Sequence, residues 1–184
     1  MLCFLILTPT FALYFPSSNG EKFSELWILG PTRMVETLPF DVSVDKPQSV
    51  YLGLSNELGE LEYYIIYVKF RNQSDSFPDN EAGIPSTLDP IFEYRVFLKD
   101  KESWEKNVSF FFENVSFNQN RSLVSNLIID NNPISIEKQA IWDSVDSGFY
   151  YQLFFELWAY NSTISAFEFH NRSVGVWLNM SGYT

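Results

Sequence analysis

Residues 149–160, FYYQLFFELWAY, constrain the fold more than any other stretch of this chain. Phe149, Tyr151, Leu153, Phe155, Leu157 and Ala159 share one phase of a period-two pattern. Tyr150, Gln152, Phe154, Glu156, Trp158 and Tyr160 share the other, so the segment reads as a central strand. The first phase is wholly apolar and belongs in a core. The second mixes aromatic rings with Gln152 and Glu156, which must meet either solvent or a second layer that satisfies their hydrogen bonds. The rest of the chain has to pack against this strand.

The 184 residues are enough for one β domain with a sizeable core, and no low-complexity linker divides them. An aromatic fraction of 18% beside only 19% charged residues argues against a disordered chain. A net charge of −11 argues against nucleic acid and against an anionic membrane surface, because both are held by clustered Lys and Arg. Cys3 is the only cysteine, so no internal disulfide braces the fold. Within an apolar leader it reads as a packed side chain, not a reactive thiol.

That leader, residues 1–15, is uncharged but lacks a basic n-region and is short of the roughly 20 residues a spanning helix needs. It reads first as the end of a transmembrane helix, next as a signal peptide, and last as a hydrophobic strand donated to a neighbouring subunit. Residues 16–22, PSSNGEK, form a polar connector, and the β domain spans 23–184. Strands are expected at 23–30, 40–44, 48–56, 61–70, 92–98, 104–112, 122–129, 134–136, 149–160 and 173–180. The segment 61–70 is apolar on both phases and should be interior to its sheet. Among the inward residues of 104–112, Lys106 is the dissenter. Residues 71–90, with three prolines and no aliphatic pattern, make the longest irregular loop, and 138–148 reads as a loop or single helical turn. No amphipathic helix stands out. Seven to nine of these segments as antiparallel strands, at this spacing, imply an all-β, immunoglobulin-like β-sandwich with a short apolar N-terminal segment.

The densest chemical signal is the acceptor pattern Asn-x-Ser/Thr, present at Asn72, Asn107, Asn114, Asn120, Asn161, Asn171 and Asn179, seven of fourteen asparagines. With Ser and Thr near 15% of residues, chance would supply about two, so the excess points to covalent N-glycans on an exported surface. Asn72, Asn120 and Asn161 fall in expected loops; Asn107 and Asn179 fall on the outward phase of their strands. There, sugars would block edge-to-edge pairing of the strands that carry them.

ELWILGP, YYIIYVKFRNQ, FEYRVFLKDKESWE, GFYYQLFFELWAYN and FEFHNRSVGVWLNMS, spread from Glu25 to Ser181, resemble the archaeal domain of unknown function 1616 family of predicted membrane proteins. The resemblance implies several transmembrane helices followed by an extracytoplasmic β domain, and it carries no catalytic residue across. This chain departs from that plan in having only a stub of hydrophobic sequence.

The remaining candidates are weaker. His170, the only histidine, lacks the second His or Cys that a metal site would draw on, so a structural role is expected, with Arg172 pairing Glu156 or Glu168. Asp143 and Asp146, or Asp75, Asp79 and Glu81, lack the spacing of a calcium loop. Glu105 and Glu113 lie eight residues apart on one strand, about 26 Å, too far to flank one glycosidic bond. Tyr150, Phe154, Trp158, Tyr160 and Trp177 form either an exposed row that stacks on sugars or a partner, or packing within the chain. No catalytic, cofactor or metal site emerges, and neither GxGxxG nor a P-loop is present. The expectation is a non-enzymatic, membrane-tethered glycoprotein facing outward, whose partner is a cell-envelope protein or itself; the alternative is an extracellular filament subunit that donates residues 1–15 to its neighbour.

Overall fold

The computed structural model describes residues 22–181. The leader and most of the connector lie outside the described residues, and among these no helix is long and apolar enough to cross a membrane. Ten strands occur: β1 (Ser24–Leu29), β2 (Asp41–Ser43), β3 (Gln48–Asn56), β4 (Glu62–Asn72), β5 (Phe92–Leu98), β6 (Glu102–Asn118), β7 (Arg121–Ile129), β8 (Asn132–Ile141), β9 (Tyr150–Asn161) and β10 (Ala166–Ser181). One 3₁₀ turn, Val35–Thr37, is the single helical element among the described residues.

Two five-stranded sheets make the expected immunoglobulin-like sandwich. The first has the order β1-β3-β6-β7-β8 and the second β2-β10-β9-β4-β5. β9 lies between β10 and β4, and β4 lies between β9 and β5, so both strands expected to be interior are interior. The first phase of β9 faces the other sheet: Phe149, Tyr151, Leu153, Phe155 and Leu157 are buried against Val50, Leu52, Leu54, Phe110, Phe112 and Leu127 of the same core. Each fully buried aliphatic or aromatic side chain contributes roughly 1.5–3 kcal/mol relative to exposure.

Three expectations need correction. The pairing is not wholly antiparallel, because β2 runs parallel to the end of β10 through Asn179, Met180 and Ser181. Strand β6 runs to Asn118, well past residue 112, and keeps one continuous register against β7 from Phe110 to Asn118 although Asn114 sits at a φ of 54°. The span 138–148 is not all loop: β8 continues to Ile141, pairing Arg121 with Ile141 and Val124 with Lys138. A two-residue turn, Asp130-Asn131, with φ of 48° and 65°, joins β7 to β8 in the right-twisted hairpin geometry that Asp and Asn tolerate best.

Polar groups at the margins of the core are tied in pairs. The Tyr64 hydroxyl donates to Asn56 Oδ1 (3.1 Å) and lies 2.7 Å from Ser24 Oγ, and burial pushes its pKa up to about 12. The Tyr151 hydroxyl sits 2.8 Å from Ser122 Oγ and donates to the Ser122 carbonyl; burial likewise pushes it up to about 12. Lys106, the dissenter in β6, reaches Asp130 Oδ2 at 3.1 Å, where the Tyr94 hydroxyl also donates, at 2.9 Å.

Candidate functional site

The second layer that Gln152 and Glu156 of β9 call for lies on the outer face of the second sheet. Gln152 and Glu156 do not meet solvent; the long loop between β4 and β5 folds back over them. Glu156 is fully buried and pairs with Lys69 Nζ at 2.8 Å, whose side chain is 4% exposed. The Ser86 N–H of the loop donates to Glu156 Oε1 (2.8 Å), and Lys69 Nζ donates to the Ser86 carbonyl (2.9 Å). Trp158 Nε1 completes the carboxylate at 3.3 Å. Each oxygen and each charge is thus matched, the condition under which a buried ion pair is tolerated. Gln152 Oε1 accepts from Arg71 Nε at 2.6 Å, and the Arg71 guanidinium lies 4.8 Å over the Trp177 ring. An antiparallel bridge between Asp79 and Ile84 stiffens the loop itself.

This cover divides the aromatic row read from β9. Phe154 is fully buried under the loop, 5.3 Å from the Phe77 ring. Tyr150 packs with Phe40 at one end of the sheet, near Trp177. Trp158 and Tyr160 emerge at the other end, beyond the loop, where four residues not singled out in the sequence join them. Tyr63 stacks on Phe97 at 4.0 Å and 7°, Phe167 meets Tyr63 at 5.0 Å and Tyr160 at 5.3 Å, and Phe169 lies 6.0 Å from Trp158. Phe97 is 63% exposed. Glu93 and Arg95, beside Tyr63, bond each other at 2.6 Å, and Arg95 also donates to the Tyr63 hydroxyl. Phe97 and Tyr63 sit on outward phases opposite each other in the ladder, a signal that becomes legible once β4 and β5 are paired.

A concavity of about 470 Å³ at this end is lined by Tyr63, Phe97, Tyr160 and Phe169 of these rings together with Glu60, Glu62, Asn161, Glu168 and His170. Burial, with Glu60 nearby, raises the pKa of Glu62, while the Tyr63 N–H bonded to its Oε1 works in the opposite sense. Glu168 accepts from Asn161 Nδ2 at 2.7 Å. His170 stands edge-on to Tyr64 at 6.2 Å, and burial followed by the charge of Arg172 lowers its pKa. Arg172 pairs with neither Glu156 nor Glu168. Its guanidinium donates to the Ser24 and Asn171 carbonyls, because β10 bulges at His170-Asn171 and turns Arg172 toward β1.

The acidic candidates are structural. Asp75 binds Lys138 at 2.7 Å and accepts the Asn72 N–H. Although burial opposes it, these partners and Arg71 hold its carboxyl below the usual range. Asp79 caps the N–H groups of Glu81 and Ala82, and Asp143 those of Val145 and Asp146. Glu105 pairs with Arg33 at 2.7 Å. No cluster of three metal-ligating side chains occurs among the described residues.

The sequon asparagines fall into two groups. Asn107, Asn114, Asn120 and Asn171 are exposed, the first two on β6, the third in the β6–β7 turn and the last in the β10 bulge. Asn72, Asn161 and Asn179 are half-buried with their Nδ2 groups engaged, by the Gln139 carbonyl, Glu168 and Asp41 respectively. Asn72 and Asn161 close strands β4 and β9 through side-chain turns onto Asp75 and Thr163. The expectation of edge protection holds its geometry at Asn107, where β6 pairs β3 but not β7. At Asn179 it does not: β10 is flanked there by β9 and β2, and the amide packs onto Gly148, where any Cβ would collide with it.

No protein-family model matches the chain, and no curated protein does. Among solved structures, two crystal structures of a β-glucosidase from Listeria innocua, one with glucose and one with gluconolactone, each align at a TM-score of 0.38 and 10% identity over 92% of this chain. The chain spans 18% of the length of those proteins.

Proposed function

We propose that this chain is the outward-facing, N-glycosylated β-sandwich of a membrane-tethered envelope protein, and that it works by contact and not by catalysis. The observation that carries the reading is the placement of the acceptor asparagines. Four of the seven present exposed side chains, Asn107 and Asn114 on β6, Asn120 in the turn after it and Asn171 in the β10 bulge, where a glycan adds bulk without disturbing the core. Of the acidic candidates, Asp79 and Asp143 cap turns, and Asp75 and Glu105 are held in ion pairs. Producing the chain in its native host and weighing the intact protein tests the reading. Several glycan masses on protein from the membrane fraction are expected; an unmodified mass in the cytoplasmic fraction overturns it.

A second reading, the filament subunit, draws support from β1. This strand pairs only β3, so its other edge has no ladder partner among the described residues and is open to strand addition. Detergent-resistant polymers favour that reading, and a detergent-soluble monomer favours the tether.

A further inference from the structure

We propose that the glycan attached at Asn171 lies down on the aromatic floor formed by Trp158, Tyr160, Phe167 and Phe169, so that the chain carries its own ligand for that surface. The proposal rests on the N-glycosylation reading above and adds where one sugar goes. Asn171 occupies the bulge of β10 between Phe169 and Arg172, at a φ of 53° that Asn adopts more readily than most residues. Its side chain is exposed, and its amide makes no hydrogen bond among the described residues. Phe169, Asn171 and Ser173 share the outer face: the Phe169 ring meets Trp158, the Ser173 hydroxyl bonds Asn80 of the covering loop, and the Asn171 amide lies against Gly83.

Gly83 gives the arrangement its direction. A Cβ there would stand 3.2 Å from Asn171 Oδ1 and 3.6 Å from Nδ2, so the loop backbone walls off one side of the amide. A substituent on Nδ2 leaves away from Gly83, and Phe169, two residues back through the bulge, has its Cα no more than about 7 Å from that of Asn171. The first one or two sugar rings span that distance. The floor suits a neutral ring: Glu93 and Arg95 beside it neutralise each other, the carboxylates Glu60, Glu62 and Glu168 at its margin disfavour an anionic sugar and offer acceptors to sugar hydroxyls, and the aromatic faces attract the C–H faces of a pyranose. No element of the described chain covers it.

Attachment joins Asn171 Nδ2 to the anomeric carbon of a lipid-linked sugar phosphate, handled by a transferase. The anomeric C–O bond breaks, the departing phosphate oxygen keeps its electron pair, and one amide proton passes to the transferase's base or to water. The other Nδ2–H remains on the glycosylated amide.

The test compares protein from a glycosylating host with two variants that lose this sequon, Asn171→Gln and Ser173→Ala, and with Asn107→Gln as the control. Hydroxyl-radical labelling read by mass spectrometry reports the exposure of Trp158, Phe167 and Phe169. Labelling in the parent should be roughly two- to tenfold slower than in both sequon variants, the range that a stacking contact supports. Trp142, at the opposite end of the sandwich, should be unchanged throughout, and Asn107→Gln should match the parent. Glycopeptide mapping separates the failures. A bare Asn171 in the parent overturns the proposal together with the glycosylation reading at that site. An occupied Asn171 with equal labelling in parent and variants overturns the docking alone. Protection that persists in both sequon variants also overturns it, and assigns the floor to another occupant such as a second copy.

Discussion

The two faces of β9 are buried by different means. The inner face is held by Tyr151, Leu153, Phe155 and Leu157 against the opposite sheet, through contacts that are numerous and indifferent to exact direction. The outer face is held by one buried ion pair fixed to the two backbone groups of Ser86, with Phe154 packed under Phe77 and Gln152 bonded to Arg71 beside it. The first kind of burial tolerates a change of shape at moderate cost, whereas the second fails as a unit when any member is lost. One strand therefore serves both as the hydrophobic centre of the sandwich and as the anchor of a loop that has almost no hydrophobic pattern of its own.

The largest effect should come from Leu153→Asp, which puts an unpaired charge in the centre of the inner face. It should abolish folding, seen as loss of the cooperative melt in circular dichroism; a retained melt would displace Leu153 from the core. Next, Glu156→Ala should cost about 3–5 kcal/mol in urea unfolding by stranding Lys69, while the double replacement Lys69→Met with Glu156→Leu should recover most of that loss. A double variant as unstable as the single one would mean that the loop, not the charge balance, dominates this face.

Alkaline pH probes the polar tips of the inner side. In the unfolded chain tyrosine ionises near 10, but Tyr64 and Tyr151 in the folded protein are pushed up to about 12, so their contribution is complete below pH 10 and is lost as pH rises through 12. Urea midpoints should fall across that window, and Tyr151→Phe should flatten the fall. The smallest effect is expected from Gln152→Asp, about 1 kcal/mol, because the new carboxylate faces Arg71. Equal stability of Leu153→Asp and Gln152→Asp would erase the distinction between the two faces.

The inner face was legible because burial by a facing sheet imposes period two on side chains, and β4 was legible as interior because both of its phases are apolar. The cover was not. Its anchoring groups are the N–H and carbonyl of Ser86, and backbone groups leave no trace in residue type. Lys69 carried a trace, a lone charge in YYIIYVKF opposite Phe154, but the strand pairing was needed to see its partner. β8 was cut short because its phase is disturbed by Glu137 at a φ of 42° and because Lys138 turns to Asp75. The sequons were plain in the sequence, yet whether each amide was free depended on folded neighbours: Asp41 and Gly148 for Asn179, the Gln139 carbonyl for Asn72.

The short parallel pairing of β2 with β10 bears on how the domain would carry load. In a parallel pair, tension that enters at the start of one strand and leaves at the end of the other pulls the two strands in opposite directions along their length. The bonds joining Asp41–Ser43 to Asn179–Ser181, with the Asn179 N–H on the Phe40 carbonyl at 2.7 Å, would then be sheared together and not peeled one by one. A domain pulled between its two ends, as the proposed tether would require, would be resisted in shear at those three residue pairs.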